Sequence, residues 1–143
     1  MKNPRMATNL FGYFRRLRRK TSFKGNKDFL LHKEHALVFA QGRIEYFNSS
    51  YQFSVSKICI RNQRTRWGSC STKGNINFNY KIALLPERLA DYVIVHELCH
   101  LGEFNHSRRF WALVERTIPD HRELRKELRK SHDTRFSSVR LHT

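Results

Sequence analysis

Acidic residues are scarce in this 143-residue chain: 12 Asp and Glu stand against 28 Lys and Arg, a formal charge of +16. Residues 1–27 carry nine basic groups and no acid, and residues 46–86 carry six more and again no acid. Stretches without acids attract polyanions, so non-specific nucleic acid is a candidate partner through these basic segments. A basic terminal segment is equally well read as a solvated extension. Long apolar runs are also missing, none reaching the roughly 18 residues of a membrane-spanning helix, so no membrane partner is expected. The basic N-terminal segment has no apolar core followed by small residues, so no signal peptide is read there. Cysteine is sparse: Cys59, Cys70 and Cys99 are odd in number and lack metal or disulfide spacing, which excludes a disulfide framework. A reducing cytoplasm is the expected compartment.

What is present suffices for one folded domain. Hydrophobic residues make up 39% and aromatic residues 13%, with eleven Phe, enough to build a single core at this length. Residues 1–25 form a basic segment with scattered aromatics and no clear register, set apart as an extension open to disorder. Residues 26–51 read as a helix with apolar positions at Leu30, Leu37, Phe39, Ile44 and Phe47, interrupted at Gly42. Phe53, Val55, Ile58 and Ile60, a polar cluster with glycine at 71–75, and Ile76-Asn77-Phe78-Asn79-Tyr80 give the alternation of a β-hairpin. From Pro86 onward the pattern is helical. One helix opens at Pro86 and Glu87. A second follows Ser107 as N-cap to about Thr117, and a third runs from Asp120 to about Lys130, with Asp120 and Glu123 as a capping pair. Leu124 and Leu128 are its only anchors, which predicts a peripheral position. The expected architecture is an α+β domain over residues 26–133, its helices packed on a small antiparallel or mixed sheet, with 134–143 as a tail.

His96-Glu97-Leu98-Cys99-His100 carries the chemistry. On a helix, positions i and i+4 share one face, so His96 and His100 can both point at one metal ion. Glu97 then lies beside the metal without binding it, placed to take a proton from a water that the metal has acidified. The apolar run Tyr92-Val93-Ile94-Val95 leads into His96, so the histidines belong to a buried helix, where unpaired polar groups are costly. Cys99, between the two histidines, is expected to pack as a small apolar residue.

Two candidates exist for a third ligand. His106 matches the last histidine of H-E-x-x-H-x-x-G-x-x-H, although the glycine of that pattern falls on Glu103 and Gly102 precedes it by one. The chain would stop its helix near Leu101 or Gly102, reverse through Glu103-Phe104-Asn105, and bring His106 over the ion. Glu115, on the following helix, is the competitor. His106 is preferred.

The order Arg64-Thr65-Arg66-Trp67-Gly68-Ser69-Cys70-Ser71, Gly74-Asn75-Ile76-Asn77-Phe78-Asn79, Pro86, Asp91 through Leu101, Asn105-His106-Ser107 and Phe110-Trp111 resembles the YgjP-like metallopeptidase domain family. The resemblance runs from about Asn26 to Lys130. It implies a minimal zincin-like fold and a zinc-dependent hydrolase of HExxH type acting on peptides or proteins. It also implies His96, His100 and His106 as Zn2+ ligands and Glu97 as the catalytic base, which supports His106 over Glu115. The alternative from another class is a basic nucleic-acid-binding module whose zinc site is structural or catalytically silent. Around the site, Arg66-Trp67-Gly68 reads as a rim strand for an extended peptide. It reads equally as packing on the zinc helix, with Arg66 bound to carbonyls or to an acid such as Asp91. Phe110 and Trp111 are expected in the core, and Asn79 and Tyr80 are candidates to stabilise an oxyanion.

Overall fold

The computed structural model describes residues 10–135, with side chains described from 26 to 130. The outer parts of the two segments set apart by sequence, 1–9 and 136–143, therefore lie outside the described residues. In order, the elements are α1 (Leu10–Asn48), β1 (Lys57–Arg61), β2 (Gly68–Cys70), β3 (Asn75–Asn79), a 3-10 turn (Tyr80–Leu84), α2 (Glu87–Cys99), α3 (Arg108–Glu115) and α4 (His121–Arg135). The architecture is α+β, as expected.

α1 begins at Leu10, inside the segment that charge had set apart, and runs through Gly42 without a break. A Cβ at Gly42 would meet nothing within 4 Å, so the helix spends no packing there. Its buried stripe is Ala36, Ala40, Ile44 and Phe47, a helical spacing of one face. Leu30, one of the apolar positions along the helix, is 66% exposed. The reason is steric: the small side chains of Ala36 and Ala40 let α1 lie close against β1, the 3-10 turn and α2, and that choice of face turns Leu30 outward. The helix ends where the Asn48 amide pairs in both directions with the Phe53 backbone, closing a turn around Gln52, whose φ is 59°.

The sheet has the order β1-β3-β2 and is mixed. β2 pairs with β3 antiparallel, and β1 pairs with β3 parallel. The hairpin expected between residues 53–60 and 76–80 is thus corrected: the strand joined to β3 by the tight turn is Gly68–Cys70. Gly74 makes that turn, with φ of 82° and its N–H donated to the Ser71 carbonyl at 3.0 Å. β1 instead passes across the sheet through residues 62–67 and lies on the far side of β3. The central strand alternates as its sequence does, with Ile76 and Phe78 fully buried on the core face.

α2 packs against α1, β2, α3 and α4, and ten of its thirteen residues are buried. Its start follows from Pro86, whose carbonyl accepts the N–H groups of Leu89 and Ala90 at 2.9 and 3.0 Å. Asp91 is held by Arg43 of α1 in a bidentate pair, both contacts 2.7 Å, and not by Arg66. The close approach of α1 brings the Arg43 side chain to that acid, with its guanidinium also over the Tyr46 and Phe47 rings. Ser107 caps α3 as expected, its hydroxyl accepting the Phe110 N–H at 3.4 Å. α4 does anchor through Leu124 and Leu128, and His121 joins the same stripe at 5% exposure.

Candidate metal centre

α2 ends just after its second histidine, and the chain then turns back on itself. The N–H groups of Gly102 and Glu103 both reach the Cys99 carbonyl at 3.0 Å, which closes the last turn. A side chain at Gly102 would meet Phe53 Cζ at 2.8 Å and Leu113 Cδ1 at 3.0 Å, so only glycine passes between those two groups undisturbed. The reversal brings His106 over the helix. Its Nε2 lies 3.3 Å from Nε2 of His96, and the candidate ligand atoms of His96, His100 and His106 all lie within 4.8 Å of one another. Glu115 is exposed on α3 and is not part of this cluster.

The ring orientations are fixed by their neighbours. Nδ1 of His100 is 3.0 Å from the Glu103 carbonyl oxygen. A carbonyl can only accept, so this nitrogen carries the proton and Nε2 is left as the electron-pair donor. Phe110 is fully buried, as expected, and stacks on His100 with ring centroids 4.4 Å apart, its edge meeting His96 and His106 at 5.0 and 4.9 Å. Trp111 stands 6.0 Å from both His96 and His106, stacks on His121 at 5.2 Å, and carries the Arg125 guanidinium over its ring at 5.2 Å. Burial, followed by the charges of His100, His106 and Arg125, pushes His96 well below the usual histidine range. It is therefore neutral, the form in which an imidazole binds a metal. Three imidazoles facing one point are a donor set suited to zinc and to other borderline divalent ions.

Glu97 is the most confined acid among the described residues, 2% exposed, and its Oε1 has no hydrogen-bond partner among them. Burial raises its carboxyl to about 8, against a smaller opposing effect of the Arg66 charge. One wall of its pocket is Gly68. A Cβ built there would stand 2.7 Å from Glu97 Cγ and 2.9 Å from the Asn77 carbonyl oxygen. Gly68 was read only as part of a motif, and its role at the acid is visible in three dimensions alone. Cys99 packs as expected, fully buried, with burial lifting its thiol to about 12. It is not part of the histidine cluster.

The residues before Gly68 divide by burial. Trp67 is 1% exposed and belongs to the core, whereas Arg64 and Arg66 are exposed. Asn79, considered for an oxyanion, is fully committed elsewhere. Its Nδ2 donates to the carbonyls of Gln63 and Arg66 at 2.7 and 3.2 Å, and its Oδ1 accepts the Lys81 N–H at 3.1 Å. The Tyr80 ring packs on Phe29 and His32 of α1. Asn79 thus latches the 63–66 loop, and Tyr80 fastens α1. Tyr92, one turn before His96, was also missed. It is fully buried, its edge 5.9 Å from the His96 ring, and burial lifts its hydroxyl to about 12.

A family model described as YgjP-like, metallopeptidase domain matches residues 18–131. In fold, the chain is similar to the crystal structure of the metallopeptidase zymogen of Pyrococcus abyssi abylysin, with TM-score 0.61 and 23% identity, covering 66% of this chain and 95% of that one. It is also similar to the metallopeptidase zymogen of Methanocaldococcus jannaschii jannalysin, with TM-score 0.57 and 20% identity, covering 64% of this chain and 95% of that one. At these identities the likeness is one of fold. No curated protein matches the chain.

Proposed function

The chain belongs to the YgjP-like metallopeptidase domain family, and from that premise we propose that it is a zinc metallopeptidase of HExxH type. In this reading His96, His100 and His106 hold Zn2+, Glu97 is the general base, and the catalytic domain is residues 26–133. The cytoplasm is the proposed compartment; among the described residues no helix is long and apolar enough to cross a membrane.

When bound, a divalent cation supplies Lewis acidity, which acidifies water and polarises a substrate carbonyl. The chain's own residues do the rest. The Glu103 carbonyl fixes the His100 tautomer, and Phe110 covers one face of the His100 ring. Glu97 accepts the proton of the attacking water at its unpartnered Oε1 and returns it to the leaving amine. Burial raises that carboxyl to about 8 in the metal-free chain, and the positive charge of a bound cation would lower it toward the ionised form that a base needs. β2 offers a place for an extended substrate. The residues that bond to β3 are Trp67, Ser69 and Ser71, so by antiparallel alternation the main-chain groups of Gly68 and Cys70 point to the open edge.

The observation that carries this reading is Glu97, buried one residue from His96 with its Oε1 unpartnered among the described residues. A structural metal site has no use for such an acid, and it closes with a fourth protein ligand. Among the described residues no fourth His, Cys, Asp or Glu joins the cluster. Both points weigh against a nucleic-acid module with a silent zinc. Elemental analysis after zinc loading tests the site: about one zinc per chain is expected for the unaltered protein and for Glu97→Gln, and none for His96→Ala or His100→Ala. An unaltered protein that binds no metal would overturn the assignment.

A further inference from the structure

Three arginines are in ion pairs among the described residues: Arg43 with Asp91, Arg88 with Glu127, and Arg109 with Glu103. Two near the metal centre, Arg66 and Arg125, are in no ion pair among the described residues. Arg66 is exposed at the end of the 63–66 loop, which the Asn79 amide holds in place through the Gln63 and Arg66 carbonyls. It is two residues from Gly68, the wall of the Glu97 pocket, and its charge acts on the Glu97 carboxyl. Arg125 comes from α4, its guanidinium stacked on Trp111, which in turn stands 6.0 Å from His96 and His106. The Arg125 charge acts on His96. The loop side extends the same sign outward, with exposed Arg61 and Arg64 and no acid anywhere from residue 46 to 86.

A guanidinium left unpaired beside a reactive centre has a preferred partner, a carboxylate, which it grips through two parallel N–H bonds. We propose that this centre selects acidic stretches of polypeptide, with Arg66 on the β2 side and Arg125 on the α4 side receiving Asp or Glu side chains that flank the scissile bond. The inference rests on reading the centre as a peptidase and adds the class of its substrate. The Arg125 side chain is held by its stacking on Trp111, while the Asn79 latch fixes only the backbone from which the exposed Arg66 side chain extends. Holding a side chain in advance reduces the entropy lost when it grips a ligand.

The test uses the zinc-loaded full chain and peptides blocked at both ends, identical except for Asp or Glu, neutral residues, or Lys around the scissile bond. The acidic peptide is expected to exceed the neutral one in kcat/KM by about tenfold at low salt, since each partly exposed charge pair contributes up to about fivefold. The advantage shrinks toward parity at high salt, where such pairs are screened. Arg66→Glu and Arg125→Glu each lower the acidic-to-neutral ratio several-fold. Arg88→Gln, about 12 Å along α2 from His96 by helical rise, leaves the ratio as it was. Binding to the zinc-loaded Glu97→Gln protein, followed by fluorescence anisotropy, reads the same preference without turnover. Zinc content checks that each variant is folded. Equal handling of acidic and neutral peptides overturns the proposal, and so does a preference that appears only when the peptide ends in a free carboxylate. Charge reversal that weakens oligonucleotide binding but leaves the peptide ratio intact also overturns it and assigns the rim to nucleic acid. If no peptide is hydrolysed, the peptidase reading itself has failed, and the anisotropy arm still decides whether acidic peptides are favoured.

Discussion

α2 and β2 meet at Glu97, and they are built in opposite ways. α2 is buried along ten of its thirteen residues and presents ionisable groups that burial keeps neutral. β2 is three residues long, open at one edge, and preceded by exposed arginines. The contrast separates two tasks. Proton chemistry and metal ligation need low dielectric and fixed geometry, which a helix packed on all sides provides. Contact with a large substrate needs main-chain groups and charges that water can reach, which an edge strand provides.

The sharpest way to break this comparison is to remove ligands from the buried side. His106→Ala should weaken zinc affinity by more than about a hundredfold, beyond the loss typical of an outer-shell partner, whereas Glu115→Ala should change it little. Titration with zinc in competition with a chelator measures both, and the reverse ranking would move the third ligand onto α3. Next in size is Gly68→Ala, at the seam between the two sides. Its Cβ would stand 2.7 Å from Glu97 Cγ and must displace that acid or the strand. We expect kcat/KM to fall by about ten- to a hundredfold, as displacing a reacting group by an ångström does, with zinc content unchanged. Overpacking should also cost about 1–3 kcal/mol of stability. Unchanged activity would mean that the position of Glu97 does not depend on β2.

How far the site could be read from sequence follows the same division. His96, Glu97 and His100 are legible because helical spacing is a local rule, and His106 because it follows within one reversal of the chain. Ser107 as a cap and the Leu124–Leu128 stripe are local as well. Gly68 is not, since what it must avoid is a side chain on α2 that no spacing rule connects to it. The parallel pairing of β1 with β3 escaped because the apolar residues from 53 to 60 fit a hairpin strand equally well, and the short β2, with its Gly-Ser-Cys sequence, gives almost no strand signal. The latch made by Asn79 escaped for a related reason. A buried amide looks available in sequence, but here three hydrogen bonds to neighbouring backbone use it up. The core face of α1 is not legible because Ala36 and Ala40, not the larger Leu30, make the close approach.

Smaller effects sharpen the buried side. In metal-free protein, Glu97 holds its proton up to about pH 8 when folded and loses it near 4.5 when unfolded, so its contribution to stability declines as pH rises across that window. His96 acts in the other direction: its folded value lies below 6.5, so stability is lost as pH falls below 6.5. Between pH 6.5 and 8 the Glu97 slope dominates, because the buried cysteines and tyrosines with raised values begin to act only above that window. Chemical denaturation in chelator should therefore show a loss of about 2 kcal/mol from pH 6.5 to 8, and that slope should be absent in Glu97→Gln. A slope retained in the variant would mean another group is responsible. The smallest effect concerns the basic segment. Removing residues 1–25 leaves the three histidines and Glu97 in place, so zinc stoichiometry should be unchanged. Loss of zinc on truncation would place part of that segment in the folded core.

The central claim is that the buried side performs hydrolysis and Glu97 is its base. The direct measurement compares cleavage of an unstructured protein by the unaltered chain and by Glu97→Gln, both carrying one zinc, with the new termini identified by mass spectrometry. The account predicts cleavage by the unaltered chain and a rate lower by about a hundred- to ten-thousandfold in the variant, the usual contribution of a positioned base. Cleavage at equal rates by the two proteins would contradict it.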